Sequence, residues 1–119
     1  MVIKSKKILS EISAGELIDK ISILEIKLEK IKNKASQDEI NKEYNILKEV
    51  QNSKIKMTEK LKILFKEITD VNLNLWNIED KLRVCEKNKD FGKIFIELAR
   101  GVYLNNDKRS KIKSEINKY

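Results

Sequence analysis

The feature that most constrains this chain is a row of apolar residues, Leu64, Ile68, Val71, Leu75, Ile78, Leu82 and Cys85, whose spacing alternates between four and three. Only an α-helix brings residues so spaced onto one side, and only packing along its length keeps that side out of water. The spacing predicts a helix over about 54–88, roughly 50 Å long, in coiled-coil-like register at about +20° to its neighbours. Nothing breaks it: the chain has no proline, and its glycines are Gly15, Gly92 and Gly101. Such a helix is longer than one small domain needs, so part of it is expected to project or to pack on a second copy.

The remaining elements follow from caps and periodicity. Residues 1–12 read as an extended N-terminal arm whose Val2, Ile3, Ile8 and Leu9 dock on the bundle. Ser13-Ala-Gly-Glu16 has the form of a capping box, and behind it Leu17, Ile21, Leu24, Leu28 and Ile31 form a stripe ending near Asn33. Ile23 and Ile26 lie off that stripe, so the first helix is expected to touch more than one neighbour. A second box, Ser36-Gln-Asp-Glu39, opens a helix with one narrow apolar face, Ile40, Tyr44, Leu47 and Val50, which makes it the most exposed; Gln51-Asn52-Ser53 reads as its end. Asp90 is placed to cap a fourth helix with Phe91, Ile94, Phe95, Leu98 and Val102 as its core face. Leu104-Asn-Asn-Asp107 reads as a last turn before a short helix carrying Ile112 and Ile116. No β-type alternation occurs. The expectation is an all-α antiparallel helical bundle of four to five helices, a single domain over 13–119, with one long central helix at about 54–88.

Composition removes several function classes. With 119 residues there is room for one modest core. No histidine is present, which rules out His-liganded zinc, His-based triads and the Glu-x-x-His di-iron arrangement. The lone Cys85 allows no intrachain disulfide and sits on the apolar seam, a packing position. Among the acids, Glu79, Asp80, Glu86 and Glu97 raise the idea of an all-carboxylate magnesium site, but the first-helix pairs Glu16/Asp19 and Glu25/Glu29 are crowded by Lys20, Lys27 and Lys30. A chorismate-mutase-like helical enzyme would need an arginine in the first helix, which has none. No catalytic residue, metal or cofactor is expected. The net charge is +7, yet the positive residues are interleaved with acids and accompany an abundance of Ile and Asn typical of AT-rich coding, so a nucleic-acid partner is not expected. No apolar run approaches the roughly 18 residues of a membrane span, and no leader pattern opens the chain, so a cytoplasmic location is expected.

Beside the seam runs a polar row, Asn72, Trp76, Glu79, Arg83 and Glu86, again at steps of four and three. Such a row is either a buried hydrogen-bonded network or a binding surface. Arg83, Arg100 and Arg109 are the only arginines in a chain that otherwise uses lysine. Each has acids nearby in sequence: Glu79 and Glu86 for Arg83, Glu97 for Arg100, Asp107 for Arg109. They form either inter-helix ion pairs or an anion site of converging forks. Trp76 seals a core edge or stacks on a ligand.

Several segments also resemble a family of small bacterial proteins of unknown function. They are Ile12-Ser-Ala-Gly-Glu-Leu-Ile-Asp-Lys-Ile-Ser-Ile-Leu-Glu-Ile-Lys27, then Val71-Asn72, Leu75-Trp-Asn-Ile-Glu-Asp80, Leu82-Arg83 and Glu86. Phe95-Ile-Glu-Leu-Ala-Arg100, Val102-Tyr103 and the run from Asn106-Asp107 through Arg109, Ile112-Lys113 and Ile116-Asn117 complete the set. The resemblance implies no assigned activity; its association with glycosyltransferase and surface-polysaccharide functions is contextual. Its matching polar positions, Glu16, Lys20, Asn72, Trp76, Glu79, Arg83, Arg100, Asn106, Asp107 and Arg109, are the candidate ligand- or partner-binding residues, with Glu86 from the polar row. Two functions are therefore expected. One is a non-catalytic interaction module, a homodimer or a binder of another protein. The other is a site for an anionic small ligand, a phosphorylated or carboxylated sugar or a nucleotide-sugar.

Overall fold

The computed structural model describes residues 7–119, and over them the protein is all-α: four helices and no strand. Helix α1 spans Ala14–Lys30, α2 Lys34–Lys54, α3 Glu59–Lys87 and α4 Lys93–Ile116. None of them is long and apolar enough to cross a membrane. Val2 and Ile3 of the predicted arm lie outside the described residues. Residues 7–13 carry no helix, but Ile8 and Leu9 stand in solvent rather than docking on the bundle.

Side-chain caps set most boundaries. Ser13 Oγ accepts from Glu16 N at 3.2 Å, as expected of a capping box, while the Glu16 carboxylate engages Lys113 of α4 instead of reaching back. Helix α2 begins earlier than expected because Asn33, an equally strong cap, accepts from Ser36 N at 3.0 Å and makes Ser36 helical. It also runs through Gln51-Asn52-Ser53: Ser53 Oγ donates to Val50 O, holding the polar run in the helix. Helix α3 starts at Glu59 rather than near 54, after Thr58, whose Oγ1 accepts from Leu61 N. The intervening Ile55 and Met57 are better used as an irregular link whose side chains pack on the core.

Two further expectations are corrected. Asp90 does not cap α4; its Oδ1 accepts from Gly92 N at 3.2 Å within the turn, and Gly92 holds the cap position without a side-chain bond. There is no fifth helix, because α4 continues through Leu104-Asn-Asn-Asp107. Asn105 Nδ2 donates back to Gly101 O at 2.8 Å, so a turn-forming residue spends its amide on the helix's own carbonyl.

The core lies where α1, α3 and α4 meet: Ile18, Leu61, Leu64, Ile68 and Ile116. The predicted α3 seam holds, with Leu64, Ile68, Val71, Leu75 and Cys85 buried and Ile78 and Leu82 half-buried. The longest helix is not the one with most neighbours. Helix α1 packs against all three others, whereas α3 packs against α1 and α4. That explains why α1 is buried on several sides, including Leu17, Ile21, Leu24 and the off-stripe Ile26. Helix α2 has α1 as its packed neighbour and buries only Gln51. Towards its C-terminal end Lys48 Nζ lies 5.6 Å above the Phe65 ring of α3.

Two glycines mark close approaches. A Cβ on Gly15 would stand 2.5 Å from Lys113 O, and the Gly15 N–H donates to Asn117 Oδ1 at 2.7 Å, so the start of α1 touches the end of α4 backbone to backbone. At Gly101 the added atom would meet the flexible end of Ile78 at 3.1 Å.

Candidate functional site

The stripe of α1 that faces α3 and α4 is Gly15, Ile18, Asp19, Ser22 and Ile26, at helical steps, with small or polar residues in the middle. Asp19 is 2% exposed and Ser22 fully buried, so their polar atoms must find partners within the protein. They do so on two other helices. From α4, Arg109 donates through Nε to Asp19 Oδ1 at 2.9 Å and through Nη2 to Oδ2, a bidentate fork. From α3, Asn72, 5% exposed, donates to Asp19 Oδ1 at 2.9 Å and to Ser22 Oγ at 2.8 Å. The Ser22 hydroxyl in turn donates to Asp19 O at 2.7 Å. A carboxylate only accepts, so the amide nitrogen of Asn72 must face it, which fixes that amide's orientation.

Lys113 extends the network outward, pairing with Glu16 and lying 3.9 Å from Asp19 Oδ2. Burial alone would raise the Asp19 pKa; the hydrogen bonds from Arg109 and Asn72, with the charges of Arg109 and Lys113, outweigh it and hold the carboxyl below its ordinary range. The Arg109 guanidinium is correspondingly held charged by its bond to Asp19.

Immediately beside the network is a cavity of 240 Å³. Its apolar wall is Ile23, Ile26, Leu75 and Trp76, and its polar wall is Asn72, Glu79, Asn106 and Arg109. Asn106 Oδ1 accepts from Arg109 Nη1 at 3.4 Å, so the guanidinium spans from the buried carboxylate to the cavity rim.

Of the predicted site residues, the fold thus brings Asn72, Trp76, Glu79, Asn106 and Arg109 around one cavity, with Glu16 at the outer edge of the network. It does not bring the three arginines together. Arg83 is exposed and pairs along its own helix, with Asp80 at 3.0 Å and Glu79 at 3.8 Å, while Glu86 pairs with Lys89. Arg100, Asp107 and Lys20 are exposed. Arg109 finds its acid not in the neighbouring Asp107 but in Asp19, ninety residues away. Asp19, Ser22 and Lys113 complete the network; the sequence raises Asp19 only as half of a carboxylate pair with Glu16 and Lys113 only within the family-like segment, and neither they nor Ser22 stand among the predicted site residues. The available signal was the run of small and polar residues, Gly15, Asp19 and Ser22, at steps of four and three inside an apolar helix.

A second feature lies around the turn between α3 and α4. Phe91 and Ile94 belong to the core stripe expected of α4, yet they are 48% and 64% exposed, and Val84, Ile96, Tyr103 and Leu104 are exposed as well. Of the stripe expected on α4, Phe95, Leu98 and Val102 are half-buried; Phe95 meets the Phe91 ring edge-on at 5.2 Å.

The model of a family described as a family of unknown function (DUF6165) matches residues 8–119. No curated protein matches the chain, and neither does any solved structure.

Proposed function

The chain belongs to this family of unknown function, and we propose that it is a non-catalytic helical interaction module that associates with a second copy of itself through the α3–α4 hairpin. The observation that carries this reading is the uncovered core stripe at the hairpin tip, where Phe91 and Ile94 are patterned for burial but have no cover among the described residues. The physical cause is a mismatch in length. In this reading α1 runs antiparallel to α4, with Gly15 facing Asn117 and Asp19 facing Arg109, and in the same sense as α3, with Asp19 and Ser22 facing Asn72. The 17 residues of α1 end while the 29-residue α3 continues, so among the described residues no third helix accompanies the hairpin beyond about Glu79.

Charge favours a like partner. Residues 79–107 carry six positive and six negative side chains, whereas the whole chain is +7. Two hairpins can therefore meet without the repulsion that the rest of the surface would impose. The absence of histidine and the seating of the only cysteine in the seam support a binding role over a catalytic one.

Sedimentation equilibrium tests the proposal. The expected result is a dimer at micromolar concentration that Ile94→Glu returns to monomer while the helical circular dichroism is retained. A wild-type protein that stays at monomer mass at high micromolar concentration would overturn it.

A further inference from the structure

We propose that the cavity between α1, α3 and α4 is a binding site for a neutral polyhydroxylated ring, a single monosaccharide unit held against Trp76. The geometry leaves a particular set of hydrogen-bonding groups facing it. Both hydrogens of the Asn72 amide are spent on Asp19 and Ser22, so the only capacity Asn72 retains is that of an acceptor, its Oδ1. Glu79 is a second acceptor on the same wall. Donors come from Arg109, whose Nε and one Nη2 hydrogen are spent on Asp19 and whose Nη1 reaches the rim, and from the Asn106 amide, whose oxygen rather than nitrogen is engaged. Donors and acceptors thus stand together on a cavity whose other wall is the Trp76 indole with Ile23, Ile26 and Leu75. A hydroxyl both donates and accepts, so a ring bearing several of them satisfies both sets, and its C–H face has the indole to lie on.

Charge and size narrow the class. The positive charge of Arg109 is already matched by Asp19, and Glu79 adds a negative one, so the site has no surplus cation for a phosphate or carboxylate. Arg83, 3.8 Å from Glu79, offsets that acid and leaves no strong claim for a cation either. At 240 Å³ the cavity falls below the roughly 300–1,000 Å³ of sites that enclose drug-sized molecules, which suits one ring and excludes a nucleotide.

Trp76 is the only tryptophan, so tryptophan emission reports on the wall of this cavity. The experiment titrates the whole protein with D-glucose, D-galactose, D-mannose and N-acetylglucosamine, and in parallel with glucose 6-phosphate and choline. The expected result is a saturable change in Trp76 emission with at least one neutral sugar, with Kd about tenfold higher in Asn106→Ala, an exposed position whose loss leaves the thermal midpoint unchanged. Saturation by none of the four sugars overturns the proposal. So does tighter binding of glucose 6-phosphate or of choline than of any neutral sugar, or an Asn106→Ala protein whose Kd equals that of wild type. The readout is independent of whether the hairpin self-associates, because Ile94→Glu leaves the cavity intact and is expected to give the same Kd.

Discussion

A lone carboxylate as enclosed as Asp19 would cost several kcal/mol in lost hydration, and it persists because two other helices deliver donors to it. Removing it strands a half-buried guanidinium without its acid. Asp19→Ala is therefore expected to destabilise the fold by about 3–5 kcal/mol in urea or thermal unfolding, against at most about 1 kcal/mol for Asp80→Ala, whose partner Arg83 is solvated. Equal costs for the two would show that the buried pair is not special. The same residue sets the acid limb of stability. Its folded pKa is depressed, so its contribution is fully present above the unfolded value of about 3.9 and is lost as pH falls through the lower folded value. Acid unfolding is expected below about pH 4, with a shallower acid limb in the Asp19→Ala protein. Tyr44 acts in the opposite range: burial and its hydrogen bond to Glu25 raise its pKa, and that contribution fades as pH climbs past it.

At the scale of elements, the contact between the first turn of α1 and the last turn of α4 leaves no room for a side chain at Gly15. Gly→Ala inside a helix ordinarily stabilises by about 1 kcal/mol, but at Gly15 the new methyl would press on the carbonyl of Lys113, which belongs to a rigid backbone. Gly15→Ala is expected to lower stability by about 1–3 kcal/mol, while Gly101→Ala, meeting only the mobile end of Ile78, is expected near neutral; thermal melts of the two variants read the contrast directly. These elements also show what a sequence can carry. The α3 seam was legible because packing on one face leaves a periodic trace along one segment. The polar row was half legible: Asn72, Trp76 and Glu79 share a face by periodicity, and their convergence with Asn106 depends on how α4 is rotated. The Asp19–Arg109 pair was not legible, since each residue has closer charges in sequence and only the three-helix junction selects the partner. The α2, α3 and α4 boundaries moved for a local reason: Asn33, Thr58 and Asn105 competed with neighbouring caps and turns, and small differences in hydrogen bonding decided between them.

On the scale of the whole molecule, the helices make a flat body, 48 × 44 × 23 Å, built on one three-helix junction. If the hairpin pairs with a second copy, the melting temperature should rise with protein concentration, since association stabilises only the folded chain. The attachment of α2 has a different consequence. With α1 as its packed neighbour and Gln51 its one buried residue, α2 can leave while the junction of Ile18, Leu64, Ile68 and Ile116 stays closed. Native-state hydrogen exchange is expected to show this as two tiers. Amides of α2 should exchange through an opening insensitive to low denaturant, and those of α1, α3 and α4 near the junction only through global unfolding. A single tier spanning all four helices would mean that α2 is bound into the same cooperative unit. The alternative makes α2 a hinged cover over α1, a part of the fold that can be let go without the rest being undone.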